Sequence, residues 1–115
     1  MQNHVIGIDI SKKTLDIFLI FKERIKKKTF TNTETGFKNL TAWIEKFGLI
    51  NPHICMESTG CYSEDVSEFL HKSGFKVSVV NPLPIKAFRI SKMVRQKTDS
   101  SDSEIIAQFC LQNNP

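Results

Sequence analysis

Long apolar runs are missing from this chain of 115 residues. No segment approaches the roughly 20 consecutive apolar residues that span a bilayer, which argues against a membrane-spanning helix. The opening Met-Gln-Asn-His has none of the basic, apolar and small-residue zones of a secretory signal, so the chain is expected in the cytoplasm. Cysteine is scarce: Cys55, Cys61 and Cys110 are odd in number and show no Cys-x-x-Cys spacing. That pattern fits reduced thiols packed in the fold better than a disulfide framework or a zinc site. His4, His53 and His71 show no ligand spacing either, and they read as surface or satisfied residues. A glycine-rich phosphate loop, an internal repeat and low-complexity sequence are all lacking. Ser11, Ser58, Ser100 and Ser101 have no evident base beside them, so a serine nucleophile is not supported.

What is present is a globular composition, 40% hydrophobic and 24% charged, at a length that suits one domain over residues 1–115. The net charge of +4 and the pI near 9.1 suit a polyanionic partner, and the distribution says more than the total. Lys26, Lys27 and Lys28 form one basic cluster. Lys86, Arg89, Lys92, Arg95 and Lys97 form a second, with no acidic residue between its ends.

Hydrophobic periodicity divides the chain into nine elements. Val5 to Ile10 is a nearly continuous apolar run, as in a strand covered on both faces, interrupted by Gly7 and Asp9. Thr14 to Phe21 and Arg24 to Thr31 are two further β-rich runs, close enough through Lys22 and Glu23 to pair as a hairpin. Thr33 is placed to cap a helix whose apolar positions are Phe37, Leu40, Trp43, Ile44 and Phe47, and Gly48 stops it. His53 to Glu57 reads as a strand, Val66, Phe69 and Leu70 as a helix ending at Gly74, and Phe75 to Val80 as a fifth strand. After Pro82 and Pro84, a basic helix from Ile85 to Val94 has Ala87, Ile90, Met93 and Val94 as its apolar stripe and Lys86, Arg89 and Lys92 opposite. A last helix starts near Asp99 or Ser101 and runs through Ile105, Ile106 and Phe109. This order predicts an α/β domain with a mixed five-stranded sheet, three antiparallel strands at its start and helices on both faces.

Four carboxylates stand out. Asp9 interrupts an apolar strand, where an unpaired charge costs several kcal/mol unless it meets a cation or several donors. The alternative is an earlier strand end, with Asp9 capping a turn with Ser11. Glu57 closes the run Ile54, Cys55, Met56, at the carboxyl end of a neighbouring strand. Asp99 and Asp102 are spaced to share a helical face that Ile106 and Phe109 continue, which would turn both carboxylates towards the sheet, although acidic residues also favour helix starts without any such role. If the four converge they repel one another unless a divalent cation binds. Oxygen-only ligation selects Mg²⁺ or Mn²⁺, and two such ions about 4 Å apart suit phosphodiester displacement. Tyr62, beside Glu57, is expected to pack on the sheet at a helix start.

The stretches Gly7-Ile8-Asp9-Ile10-Ser11-Lys12, Met56-Glu57-Ser58-Thr59-Gly60 with Tyr62, Val80-Asn81-Pro82 and Lys97-Thr98-Asp99-Ser100-Ser101-Asp102-Ser103 occur in the order and spacing of a known family. The chain resembles, over essentially its whole length, the N-terminal domain of DEDD-type insertion-sequence transposases, relatives of the pilin-gene invertase Piv. The resemblance implies a ribonuclease-H-like fold similar to the resolvase RuvC, with Asp9, Glu57, Asp99 and Asp102 as a metal-binding catalytic tetrad. It also implies DNA as partner, an element-encoded guide RNA, a homo-oligomeric full-length enzyme, and a C-terminal domain carrying a nucleophilic serine that this chain lacks. In that light Lys86, Arg89, Lys92, Arg95 and Lys97 would bring phosphates to the metals. Three other readings compete. A resolvase-like nuclease would use the same fold and metal site. An actin-like ATP-binding domain also opens on a Gly-x-Asp-x-Ser strand, and a nucleic-acid or protein-interaction module would need no catalysis.

Overall fold

The computed structural model describes residues 4–96 and 100–115. Five strands, β1 (His4–Ile10), β2 (Thr14–Phe21), β3 (Arg24–Thr31), β4 (His53–Glu57) and β5 (Lys76–Val80), form one sheet in the order β3-β2-β1-β4-β5. β1, β2 and β3 pair antiparallel, and β4 joins β1 and β5 in parallel, which gives the mixed sheet that the periodicity predicts. The helices are α1 (Glu34–Glu45), α2 (Glu64–Lys72), α3 (Pro82–Gln96) and α4 (Asp102–Asn113), with a 3₁₀ turn over Gly60–Ser63. Thr33 caps α1 by accepting from the Gly36 amide at 3.1 Å.

Alternation along the strands makes two cores. Ile6, Ile8, Ile10, Leu15, Ile17, Leu19, Ile54 and Met56 face α1 and α2, where Phe37, Leu40, Ile44, Val66 and Leu70 meet them. Val5, Phe18, Cys55 and Val80 face the other way and are covered by Ile85 of α3 and by Ile105, Ile106, Ala107, Phe109 and Cys110 of α4. Gly7 stands on this second face. A Cβ placed there would lie 2.4 Å from both the Ala107 nitrogen and the Ser103 oxygen, so α4 rests directly on the β1 backbone. Only a residue without a side chain permits that approach.

Three expectations change. The stripe Ala87, Ile90, Met93 and Val94 does not enter the core: Ile90 and Val94 are 53% and 74% exposed, and Ile85 and Phe88 are the anchors instead. The helix carries two apolar stripes, and the Phe88 ring wins by packing edge-on against Phe109 at 5.7 Å. Cys55 and Cys110 are buried in the second core as packing residues would be, but they are joined by a disulfide with Cα atoms 5.9 Å apart. They lie 55 residues apart, so only the tertiary packing of α4 on β4 brings them together. Tyr62 is exposed in the 3₁₀ turn, where its carbonyl accepts from Asn32 Nδ2 at 3.1 Å, and its ring does not pack on the sheet. No helix among the described residues is long and apolar enough to cross a membrane.

Candidate metal centre and nucleic-acid interface

The acidic residues converge where the strand ends meet α4. Asp9 is the second-last residue of β1, and Glu57 is the last of the parallel neighbour β4. The β1–β4 register runs through Gly7 with Cys55 and Ile8 with Met56, and its continuation sets Glu57 beside Asp9 on the α4 face. Asp102 is the first residue of α4, which begins there because Ser101 caps it, its hydroxyl accepting from the Glu104 amide at 3.2 Å. The close packing of α4 on Gly7 holds that helix start over the sheet.

The electrostatics record the crowding. Asp9 is half-buried, and its pKa is raised from 3.8 to about 6, first by burial and then by the charges of Asp102, Asp16 and Glu57. Burial, followed by the charge of Asp102, also raises Glu57. Arg89 of α3 opposes both shifts and makes an ion pair with Asp102. Its Nη1 also donates to the Ser100 carbonyl at 3.5 Å.

Three side chains stand otherwise than the periodicity predicts. Asp102 does not point inward: its side chain is 61% exposed and is held by Arg89. Arg89 does not stand on a free basic face with Lys86 and Lys92, because it turns to α4 and is 31% exposed. Asp16 was not singled out, yet it pairs directly with Asp9 in the β1–β2 register and lines the same cavity, of about 210 Å³, as Asp9 and Asp102. Counting back from the Ser11 to Thr14 turn would have found it. Thr29 orients Asp16 by donating to its Oδ1 at 2.8 Å. Asp99 and Lys97 lie outside the described residues, while Lys86 and Arg95 are exposed on α3 and Lys92 lies 5.4 Å above the Phe88 ring.

In metal-free solution the raised pKa of Asp9 has a definite sign. Between 3.8 and about 6 the folded state binds the proton more tightly than the unfolded chain, so the contribution of Asp9 is present at low pH and lost as pH rises through about 6. Lowering pH from about 7 to about 5 should therefore stabilise the parent relative to Asp9→Asn. His53, lowered by burial and then by Lys76, acts in the opposite direction in both proteins and cancels in the difference. Urea midpoints across this range measure it; a parent-to-variant difference that does not change with pH would show that Asp9 titrates normally.

The sheet order, the two helical layers and the carboxylates at the β1 and β4 ends define a ribonuclease-H-like domain. Thermus thermophilus RuvC, solved in complex with a Holliday junction substrate, matches it with a TM-score of 0.60 at 15% identity, over 96% of each chain. The Pelota protein of Archaeoglobus fulgidus matches with a TM-score of 0.50 at 13% identity, over 96% of this chain and 35% of that one. Such likeness concerns the fold. A family model of IS110-type DEDD transposases, described as Transposase, matches residues 6–115, and the chain belongs to that family. The pilin gene-inverting proteins of Moraxella bovis and Moraxella lacunata are each 38% identical to it over 117 residues, which is 100% of this chain and 36% of each relative. The chain thus spans about a third of the length of these relatives.

Proposed function

We propose that this chain carries the metal-dependent DNA-cleaving centre of a transposase, with Asp9, Glu57 and Asp102 as metal ligands and Asp99 as the fourth. The observation that supports it most is the meeting of Asp9, Glu57 and Asp102 at one end of the sheet, where burial first and the neighbouring carboxylates second raise the pKa values of Asp9 and Glu57. All the donors are carboxylate oxygens, which suits Mg²⁺ or Mn²⁺, and a pair of ions is the arrangement we favour. Bound there, the ions would activate an attacking oxygen and stabilise the leaving one. The chain itself positions the ligands through the β1–β4 register and the Gly7 contact, and Arg89 offers a guanidinium beside the site that can meet a phosphate. Lys86, Lys92 and Arg95, with Lys97 after them, would draw the DNA backbone by sequence-independent contacts.

DNA rearrangement would take place in the cytoplasm. An element-encoded guide RNA and a homo-oligomeric longer enzyme belong to the same reading, supported by the family resemblance alone, as does a serine on a further domain for strand exchange. An actin-like ATP site has less support, since the family whose model matches residues 6–115 is one of transposases.

Supercoiled plasmid and a four-way junction, incubated with the chain in Mn²⁺, test the proposal. The parent should cleave, and Asp9→Asn and Glu57→Gln should lower the rate by roughly a hundredfold or more. Cleavage that survives both substitutions, or none by the parent on either substrate, would overturn it.

A further inference from the structure

The cations of β3 are sorted by the sheet. Phe18 pairs with Lys27 and Asp16 with Thr29, so Lys27 and Thr29 stand on the face that carries Asp16 and Asp9. Leu19 pairs with Lys26 and Ile17 with Lys28, which puts those two lysines on the opposite face, over the α1 core. Side-chain positions agree: Lys28 Nζ lies 6.0 Å from the Phe30 ring, which packs on Trp43 of α1, and Lys27 Nζ lies 6.0 Å from the Phe18 ring of the other core. Lys27 and Thr29 line the cavity of about 210 Å³ together with Asp9, Asp16 and Asp102, and Lys28 and Ile17, whose side chains alternate to the other face, border it as well. Lys27 is exposed and makes no salt bridge among the described residues.

We propose that this end of β3 is a second phosphate-binding wall, on which Lys27 holds the nucleic-acid backbone at a point displaced from the cleaved bond. The inference rests on the metal-site reading above and adds a path for the substrate: with α3 at one side of the carboxylates and Lys27 at the other, the polyanion crosses the acidic centre between two cationic banks. Neighbouring strands are about 4.8 Å apart and two residues advance about 6.8 Å, so Lys27 is rooted roughly 12 Å from Asp9. At about 3.4 Å of rise per nucleotide, that is about three nucleotides from the reacting phosphate. Thr29 contributes by donating to Asp16 Oδ1 from β3, which fixes that carboxylate between Lys27's strand and Asp9. Lysines on a sheet edge also discourage strand pairing, but Lys26 and Lys28 serve that purpose equally. Of the three lysines, Lys27 is the one that the register puts on the face of Asp16 and Asp9, while Lys28 reaches the cavity only from a position whose side chain alternates away.

That asymmetry supplies the control. Lys27→Ala and Lys26→Ala remove the same charge from adjacent positions of one exposed strand. Binding of a fluorescein-labelled 30-base-pair duplex would be followed by anisotropy in Ca²⁺ across a series of KCl concentrations, beside a Lys86, Lys92 and Arg95 triple-alanine variant. Lys27→Ala should weaken binding about fivefold or more at low salt and flatten the log K against log salt slope by about 0.9, as the loss of one phosphate contact predicts. Lys26→Ala should stay within about twofold of the parent. Equal effects of Lys26→Ala and Lys27→Ala, with binding still impaired by the α3 variant, would remove the second wall and leave the metal-site reading standing. No duplex binding by the parent would remove both.

Discussion

Mn²⁺ titrated into the metal-free chain is expected to raise its melting temperature, by roughly 10 °C at about a hundred times the dissociation constant. The figure follows from about 2.7 kcal/mol of ligand linkage spread over the unfolding entropy of a domain this size. The physical cause is the meeting of Asp9, Glu57 and Asp102, whose mutual repulsion the folded chain relieves only in part through Arg89. Affinity without substrate can be as weak as millimolar, because these cations give up water reluctantly, so the titration must extend that far. Two variants separate the contributions. Asp9→Asn should preserve or raise metal-free stability, since it removes a half-buried charge that the fold disfavours, and it should abolish the metal increment. Asp102→Asn should abolish the increment as well, but at a small metal-free loss, within about 1 kcal/mol, because it breaks a partly exposed ion pair at a helix start. A capping or salt-bridged aspartate at position 9 would behave oppositely, with a loss of about 1 kcal/mol whether or not metal is present. That result, with no Mn²⁺ shift in the parent, would end the metal-centre reading.

The second large effect belongs to Gly7. Gly7→Ala puts a methyl group 2.4 Å from two backbone atoms of α4, and neither the Ala107 nitrogen nor the Ser103 oxygen can move without the helix. Overpacking against flexible side chains costs about 1–3 kcal/mol, and a rigid helix should push the loss to about 3 kcal/mol or more. The lifted helix also takes Asp102 with it, so whatever folded protein remains should bind Mn²⁺ less tightly. Gly48→Ala is the comparison: Gly48 has φ +60° but open space around its Cβ position, and only the left-handed backbone cost of about 1–2 kcal/mol applies. Urea unfolding measures both. A Gly7→Ala protein within about 1 kcal/mol of the parent would mean that α4 does not rest on β1 as described.

Much of this architecture was legible from local periodicity. The continuous apolar run of β1, the Thr33 cap and the Gly74 stop are short-range signals, and β1, the start of α1 and the end of α2 lie where they say, whereas α1 ends at Glu45, ahead of Gly48, and α3 starts at Pro82 rather than at Ile85. Asp9 was legible because a charge inside an apolar strand needs an explanation, and Glu57 because it closes one. Features that depend on partners distant in sequence were not. The orientation of α3 was decided by where Phe88 could pack, while Asp16 depends on strand register and the Cys55–Cys110 bond on the docking of the last helix. The role of Arg89 followed from that rotation of α3, which two competing apolar stripes left open.

The position of α4 in the chain also orders events in time. β1, β2 and β3 form a meander whose contacts are local, whereas α4 must return from the far end of the chain to cover β1. Contacts between residues so distant carry a larger loop-closure cost and tend to form late. On that ground Asp102 is expected to join Asp9 and Glu57 after the sheet is built, with the strongest crowding of negative charge confined to the final docking event. A chain emerging from the ribosome completes its strands before the helix that finishes the acidic centre exists to be placed.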